Sequence, residues 1–293
     1  MYYIIMDLEW NNAYSRRQKG FINEIIEIGA VMLDENLEIV DTYSVLLRSI
    51  IGKKLTTRVK ELTHLSNEDL ADGITYPRAV SQLKNWIGNK DVIVMTWGNS
   101  DIRTMLDNCK YFMGISKIPF LQKYLDLQRY CQEMLGVDLS NQIGLSAAAE
   151  KFGIDVSQFN THRALEDSLL SYRCLKKCFD KKIIEEKTSV CNDEFYARLT
   201  FKAHTITNIN NPKIDKSLMK CSCMECGKNM QRISEWKNVN QSFRATFYCK
   251  KCDVLMSCNI RFKEYYDRID MKLTYKRIEK NVQNENSETP EDN

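Results

Sequence analysis

Asp7 and Glu9 stand one residue apart where the apolar run Tyr2-Tyr3-Ile4-Ile5-Met6 ends. The run reads as a buried strand, and on a strand residues i and i+2 share a face, so the two carboxylates project together. Held that close they repel, and each is driven to take up a proton unless positive charge neutralises the pair. A divalent cation does so most simply. Alone, Asp-x-Glu is equally an ordinary strand end with two solvated acids, but further acids and a base stand downstream. Asp101 follows Val92-Ile93-Val94-Met95-Thr96-Trp97-Gly98 at a strand-to-helix junction. There a helix N-terminus favours negative charge, and there too an Asp can be a plain cap. His162 and Asp167 open a late helix in Asn160-Thr161-His162-Arg163-Ala164-Leu165-Glu166-Asp167. Five residues of continuous helix would set them about 140° apart. They serve one site only if His162 lies on the lead-in, behind a cap at Asn160 or Thr161, while Asp167 points inward.

A second set of ligating side chains is sulfur. Cys223-x2-Cys226 and Cys249-x2-Cys252 are separated by 22 residues, the pattern of a closed, structural zinc ribbon that holds one Zn²⁺ on four thiolates. Cys221 and Cys258 leave the ligand set open, since either can replace one of the four.

These residues need elements to position them. Strands are expected at 25–33 and 37–47, forming an antiparallel meander with the first strand, and Asn11 to Asn23 reads as a polar loop. Ser66 or Asn67 caps a short helix within 55–70, and Pro77 suits the start of another. The strand 92–97 leads into a helix with Ile102, Met105, Leu106 and Cys109 on one face. Helices follow near 127–135 and 145–152, and the one opened by residues 160–167 carries Leu165, Leu169, Tyr172 and Leu175 on its apolar face. Beyond 181 the chain turns polar, then strands are expected at 232–236, 242–248 and 255–262 around the cysteines.

Asp-x-Glu on a first strand, Asp after a Trp-Gly strand end, and His-x4-Asp at a late helix together resemble the DEDDh 3′-to-5′ exonuclease superfamily, in its ribonuclease T-like group, over roughly residues 1–180. The resemblance implies an α/β, ribonuclease H-like mixed sheet flanked by helices, with Asp7, Glu9, Asp101, His162 and Asp167 as the catalytic set. Such carboxylates suit two Mg²⁺ or Mn²⁺ ions, one activating the attacking water and the other steadying the departing 3′ oxygen. In this arrangement Asp7 bridges both ions, Glu9 and Asp167 complete the first, and Asp101 holds the second. His162 belongs to the residue type that changes protonation near neutrality, which suits a general base. Ile25-Ile26-Glu27-Ile28-Gly29-Ala30 and Thr96-Trp97-Gly98 are similar to members that trim RNA ends, so the expected partner is a single-stranded nucleic acid 3′ end, RNA ahead of DNA. Two positions depart from the family pattern. His64 stands where relatives carry Gly in Leu-Thr-Gly-Ile near the terminal nucleotide, and Trp10 replaces a smaller residue. Trp10 either stacks on the terminal base or packs in the core.

The expected domains are an exonuclease domain at 1–182, a linker at 183–215, a zinc-ribbon-like β domain at 216–265, and an extension at 266–293 ending in a disordered acidic tail. Residues 1–180 hold 21 basic against 23 acidic side chains, whereas 181–280 hold 21 against 12. The excess points to polyanion grip in the second part. Arg232, Lys237, Arg244, Lys250, Lys251, Arg261 and Lys263 interleave there with Trp236, Phe243, Phe247 and Tyr248, as on a surface that grips phosphates and stacks bases. Docking of another protein is the competing use of the ribbon. No run approaches a membrane span and no basic-apolar leader opens the chain, so a cytoplasmic protein without membrane contact is expected. A silent nucleic-acid-binding module competes with the enzyme, but such a module has no use for repelling carboxylates beside a base.

Overall fold

Six strands form one mixed sheet: β1 (Tyr2–Ser15), β2 (Gly20–Leu33), β3 (Ile39–Leu46), β4 (Val92–Thr96), β5 (Lys123–Asp126) and β6 (Ser189–Val190). Their order is β3-β2-β1-β4-β5-β6. β1 pairs antiparallel with β2 and parallel with β4, β2 pairs antiparallel with β3, β4 parallel with β5, and β5 antiparallel with β6. This is the computed structural model of the chain, and it describes residues 1–278. The described residues form two compact units, 1–200 and the chain from Phe201 onward. The acidic tail expected at the end lies outside the described residues.

Alternation along β1 sorts the core of the first unit. Ile4, Met6 and Leu8 join one apolar cluster with α3 (Tyr76–Ile87), α4 (Ser100–Asn108) and α9 (Asp193–Thr200). Tyr3 and Ile5 join another with α5 (Leu127–Met134), α6 (Leu145–Lys151), α7 (Ala164–Cys178) and α8 (Lys181–Lys187). Helices thus cover both faces, as a sheet buried on both sides requires. Asp7 and Glu9 continue the Tyr3–Ile5 row and therefore face the α7 side. Two short helices, α1 (Thr57–Thr63) and α2 (Asn67–Ala71), pack Leu55, Leu65 and Leu70 against Ile26. Ser66 caps α2 with a reciprocal bond to Asp69, as the sequence suggests.

Asn11 to Asn23 is not a loop. It is the outer half of the β1–β2 hairpin, with Asn11, Ala13 and Ser15 buried and Asn12 and Tyr14 exposed. The period of two was present but carried by polar residues. Asn11 is tolerated because its amide donates to Lys54 O at 3.2 Å and accepts from Thr56 N at 3.1 Å. Residues 183–200 likewise form α8 and α9 instead of linker, because Ile184, Tyr196 and Leu199 complete the two cores.

The second unit begins at Phe201. Its sheet runs β12-β11-β10-β8, with β8 (Gln231–Arg232), β10 (Ser242–Cys249), β11 (Val254–Glu264) and β12 (Ile269–Ile278). β7 (His204–Thr205) pairs with β11, and β9 (Lys237–Val239) with β10. β12 occupies residues assigned to the extension, so the unit is wider than 216–265. No helix among the described residues is long and apolar enough to cross a membrane.

Candidate active site

Three elements bring the acids together at the central strand of the sheet. Asp7 and Glu9 lie on β1, Asp101 in the first turn of α4, and Asp167 in the first turn of α7. Asp101 is 4% exposed and its Oδ1 accepts Leu8 N at 3.2 Å, which ties α4 to the strand between the two β1 acids. His162 precedes the α7 cap, Arg163, and adopts φ 68°. In that left-handed turn its backbone N–H donates to Asp167 Oδ2 at 3.0 Å. The lead-in geometry required for convergence is therefore present, with the cap two or three residues later than those considered from sequence. Ligand atoms of Glu9, His162 and Asp167 all lie within 4.8 Å of one another.

The charges are uncomfortable together. Burial first, then Asp101, Asp167, Glu9 and Glu27, push the Asp7 carboxyl well above the usual range. Burial, Asp167, Glu27 and Asp101 raise Glu9 to about 8, with Arg163 pulling the other way. Burial raises Asp101 to about 7 against the hydrogen bond from Leu8 N, and burial also raises Asp167 against the bond from His162 N. Four carboxylates that cannot all ionise in a dry site are the all-oxygen donor set that a hard divalent cation satisfies. The residues present thus fit Mg²⁺ or Mn²⁺.

Two residues that sequence reading passed over hold this cluster in place. Glu27 is 1% exposed and sits opposite Glu9 on β2. Arg163 reaches it through Nη2–Oε1 at 2.9 Å and Nε–Oε2 at 3.1 Å. The signal was an acid inside the otherwise apolar Ile25-Ile26-Glu27-Ile28, since a buried carboxylate needs a partner. Gly29, opposite Asp7, is the contact point for α7. A Cβ there would lie 2.1 Å from Leu165 N and 2.2 Å from Ala164 C, so only glycine lets the helix start press against β2. Ser168 Oγ also donates to Gly29 O at 3.1 Å.

Trp10 is half-buried and packs against the α3–α4 core cluster. His64 is the exposed C-cap of α1 at φ 56°. Glycine suits that left-handed cap, so the departure from Leu-Thr-Gly-Ile places a strained side chain where relatives have none. Neither residue enters the carboxylate cluster.

In the second unit, Cys223, Cys226, Cys249 and Cys252 bring their sulfurs within 4.8 Å of one another. The first pair is folded by Cys223 N donating to Lys228 O and Gly227 N to Cys223 O, both at 2.8 Å, with Gly227 at φ 69°. The hydrogen bond with Cys226, desolvation, and contacts with Cys223 and Cys249 push the Cys252 thiol up to about 12. Crowded thiols of this kind fit a tetrahedral Zn²⁺. Cys221 and Cys258 are disulfide-bonded to each other, which removes both as alternative ligands. The expected aromatic-cationic surface is only partly realised. Phe243 and Phe247 are 2% and 3% exposed, because residues that alternate along β10 point to opposite faces. Trp236 and Tyr248 remain accessible.

The RNase T family, described as exonuclease, matches residues 4–175. Over 187 residues the chain is 29% identical to the Bacillus subtilis protein named "Probable 3'-5' exonuclease KapD", covering 63% of this chain and 87% of that one. Over 155 residues it is 26% identical to human "3'-5' exoribonuclease 1", covering 50% of this chain and 44% of the human protein. The solved nuclease domain of 3'hExo, a DEDDh family member bound to rAMP, superposes with a TM-score of 0.53 at 21% identity, covering 65% of this chain and 96% of that domain. This likeness confirms the mixed sheet with flanking helices.

Proposed function

Because the chain belongs to the RNase T family of exonucleases, we propose that residues 1–200 remove nucleotides one at a time from the 3′ end of single-stranded RNA. The observation that carries the reading is the convergence of five residues from β1, α4, α7 and the turn before α7: Glu9, His162 and Asp167 with ligand atoms within 4.8 Å of one another, and Asp101 bonded to the strand that bears Asp7. Asp7, Glu9, Asp101 and Asp167 would hold two Mg²⁺ or Mn²⁺ ions. Bound there, the ions supply charge neutralisation and a more acidic attacking water. His162 would accept the proton of the attacking water as its oxygen bonds to phosphorus, while the bond to the 3′ oxygen of the preceding nucleotide breaks and that oxygen leaves, protonated, as the new 3′ hydroxyl. The His162 ring is positioned by the backbone turn that Asp167 fixes, and Asp167 in turn is held at the α7 start by the Glu27–Arg163 pair. Relatives named exoribonuclease and bound to rAMP support RNA over DNA.

For the second unit we propose a zinc ribbon on Cys223, Cys226, Cys249 and Cys252 that helps hold the strand. Elemental analysis should find about one Zn per chain, reduced in Cys249→Ser.

The decisive experiment is digestion of matched 3′-labelled RNA and DNA oligonucleotides with Mg²⁺ or Mn²⁺, with Asp7→Asn as control. Stepwise loss of 3′ nucleotides from RNA is expected. Equal or faster cleavage of DNA would shift the substrate class, and cleavage that survives Asp7→Asn would overturn the site.

A further inference from the structure

The second unit contains a cavity of about 630 Å³ beside the cysteine cluster. Its floor is apolar and firm, made of the buried Met219, Met230 and Phe247. Trp236 forms a partly exposed wall, its ring 5.6 Å from that of Phe247 at 59°. Lys216, Lys220 and Arg232 stand exposed at the rim, and no carboxylate among the described residues lines the cavity.

The walls are built in. Met230 N donates to Cys221 O at 2.9 Å, so the first cysteine turn carries the floor. Ile233 N donates to Thr246 O at 2.9 Å and Thr246 N to Ser234 Oγ at 2.8 Å, which pins the segment leading to Trp236 along β10. On the opposite side a short helical turn capped by Asp215 presents Lys216, Met219 and Lys220. Lys216 Nζ donates to Asn210 Oδ1 at 3.2 Å, and Asp215 is near enough to feel Lys220, yet none of the three rim cations forms an ion pair among the described residues.

A flat indole over an apolar floor, ringed by cations, has the chemistry of a base-stacking pocket with phosphate contacts at its mouth. We propose that this cavity receives an unpaired base of the polynucleotide substrate, stacked on Trp236, with Lys220 and Arg232 on the flanking phosphates. The proposal rests on the nucleic-acid reading of the first unit and names a strand subsite outside the catalytic cluster. The uniform positive rim favours a polyanionic strand over a protein partner. A free mononucleotide shares the same chemistry, so the test separates the two.

Binding is measured by anisotropy with the full chain carrying Asp7→Asn, a labelled unpaired 20-nucleotide RNA, a matching strand with abasic positions, and AMP alone. Trp236→Leu should weaken RNA binding by about tenfold or more and leave the affinity for the abasic strand unchanged. Lys220→Gln with Arg232→Gln, both on the surface, should lower the slope of log affinity against log salt by about 1.4, from two lost phosphate contacts. Unchanged RNA affinity and salt slope in both variants would overturn the subsite, and saturation by AMP at the affinity of the strand would reassign it to a free nucleotide. Hydrolysis of a dinucleotide is followed separately in the chain with Asp7 intact. Failure there would sink the proposed activity and leave the binding result standing.

Discussion

Glu27 and Arg163 are 136 residues apart in the chain and meet at 2.9 Å across the β2–α7 junction. Glu27 is almost wholly buried and faces Glu9, so this contact places a cation beside the acids, where it also draws the Glu9 carboxyl down against its burial. Arg163→Met leaves a buried carboxylate unpaired among like charges. It should cost on the order of 2–4 kcal/mol in unfolding free energy, less than a fully buried pair because Arg163 is partly exposed. The double variant Glu27→Gln, Arg163→Met should recover part of this loss in a denaturant series, and additive losses would show that the two side chains do not act as a pair.

Asp7→Asn keeps side-chain size and removes a central charge of the cluster. Turnover of 3′-labelled RNA should fall to background while circular dichroism stays parental. Without added Mg²⁺ or Mn²⁺ the variant should melt no lower than the parent, since Asp7 is then a repelling, desolvated group. A lower melting temperature would mean that Asp7 is structural.

Raised carboxyls make the metal-free protein sensitive to alkali. With Asp101 at about 7 and Glu9 at about 8, the folded chain binds protons that the unfolded chain, with carboxyls near 4, releases. The stability these groups contribute is therefore fully present below about pH 4 and is lost as pH climbs through 7 and 8. After dialysis against metal-free buffer, the melting temperature should fall from pH 5 to pH 8.5 more steeply in the parent than in Glu9→Gln. Added Mg²⁺ should flatten the parent's profile. Parallel profiles for parent and variant would contradict the burial of Glu9's charge.

His162 occupies a left-handed turn, so the informative replacement is Asn, which tolerates that backbone better than Ala. His162→Asn should retain the backbone bond to Asp167 and lose about 10² to 10⁴ in rate. If the rate and its pH profile stay parental, His162 is not the base.

The carboxylate cluster was legible because each member carries a local signal: Asp7 and Glu9 share a face by strand alternation, and Asp101 sits at a junction marked by Trp97-Gly98. Glu27, Arg163 and Gly29 were harder to read, since their meaning depends on α7 crossing β2, a long-range contact that one sequence does not display. The β1–β2 hairpin was missed for another reason. Asn11 and Asn12 carry low strand propensity, and the compensating bonds from Lys54 and Thr56 come from a distant segment. In the second unit, interleaved cations and aromatics were read as one surface, whereas alternation along β10 turns Phe243 and Phe247 into the core and leaves Arg244 outside.

The central place of β1 also governs timing. Its inner partner β2 follows at once, but its other neighbour begins at Val92, and the last acid arrives only with Asp167. A sheet closed by such distant partners folds slowly and late in synthesis. A chain still emerging from the ribosome therefore carries Asp7 and Glu9 without the groups that complete them, and exonuclease activity is withheld until the whole first unit has been made.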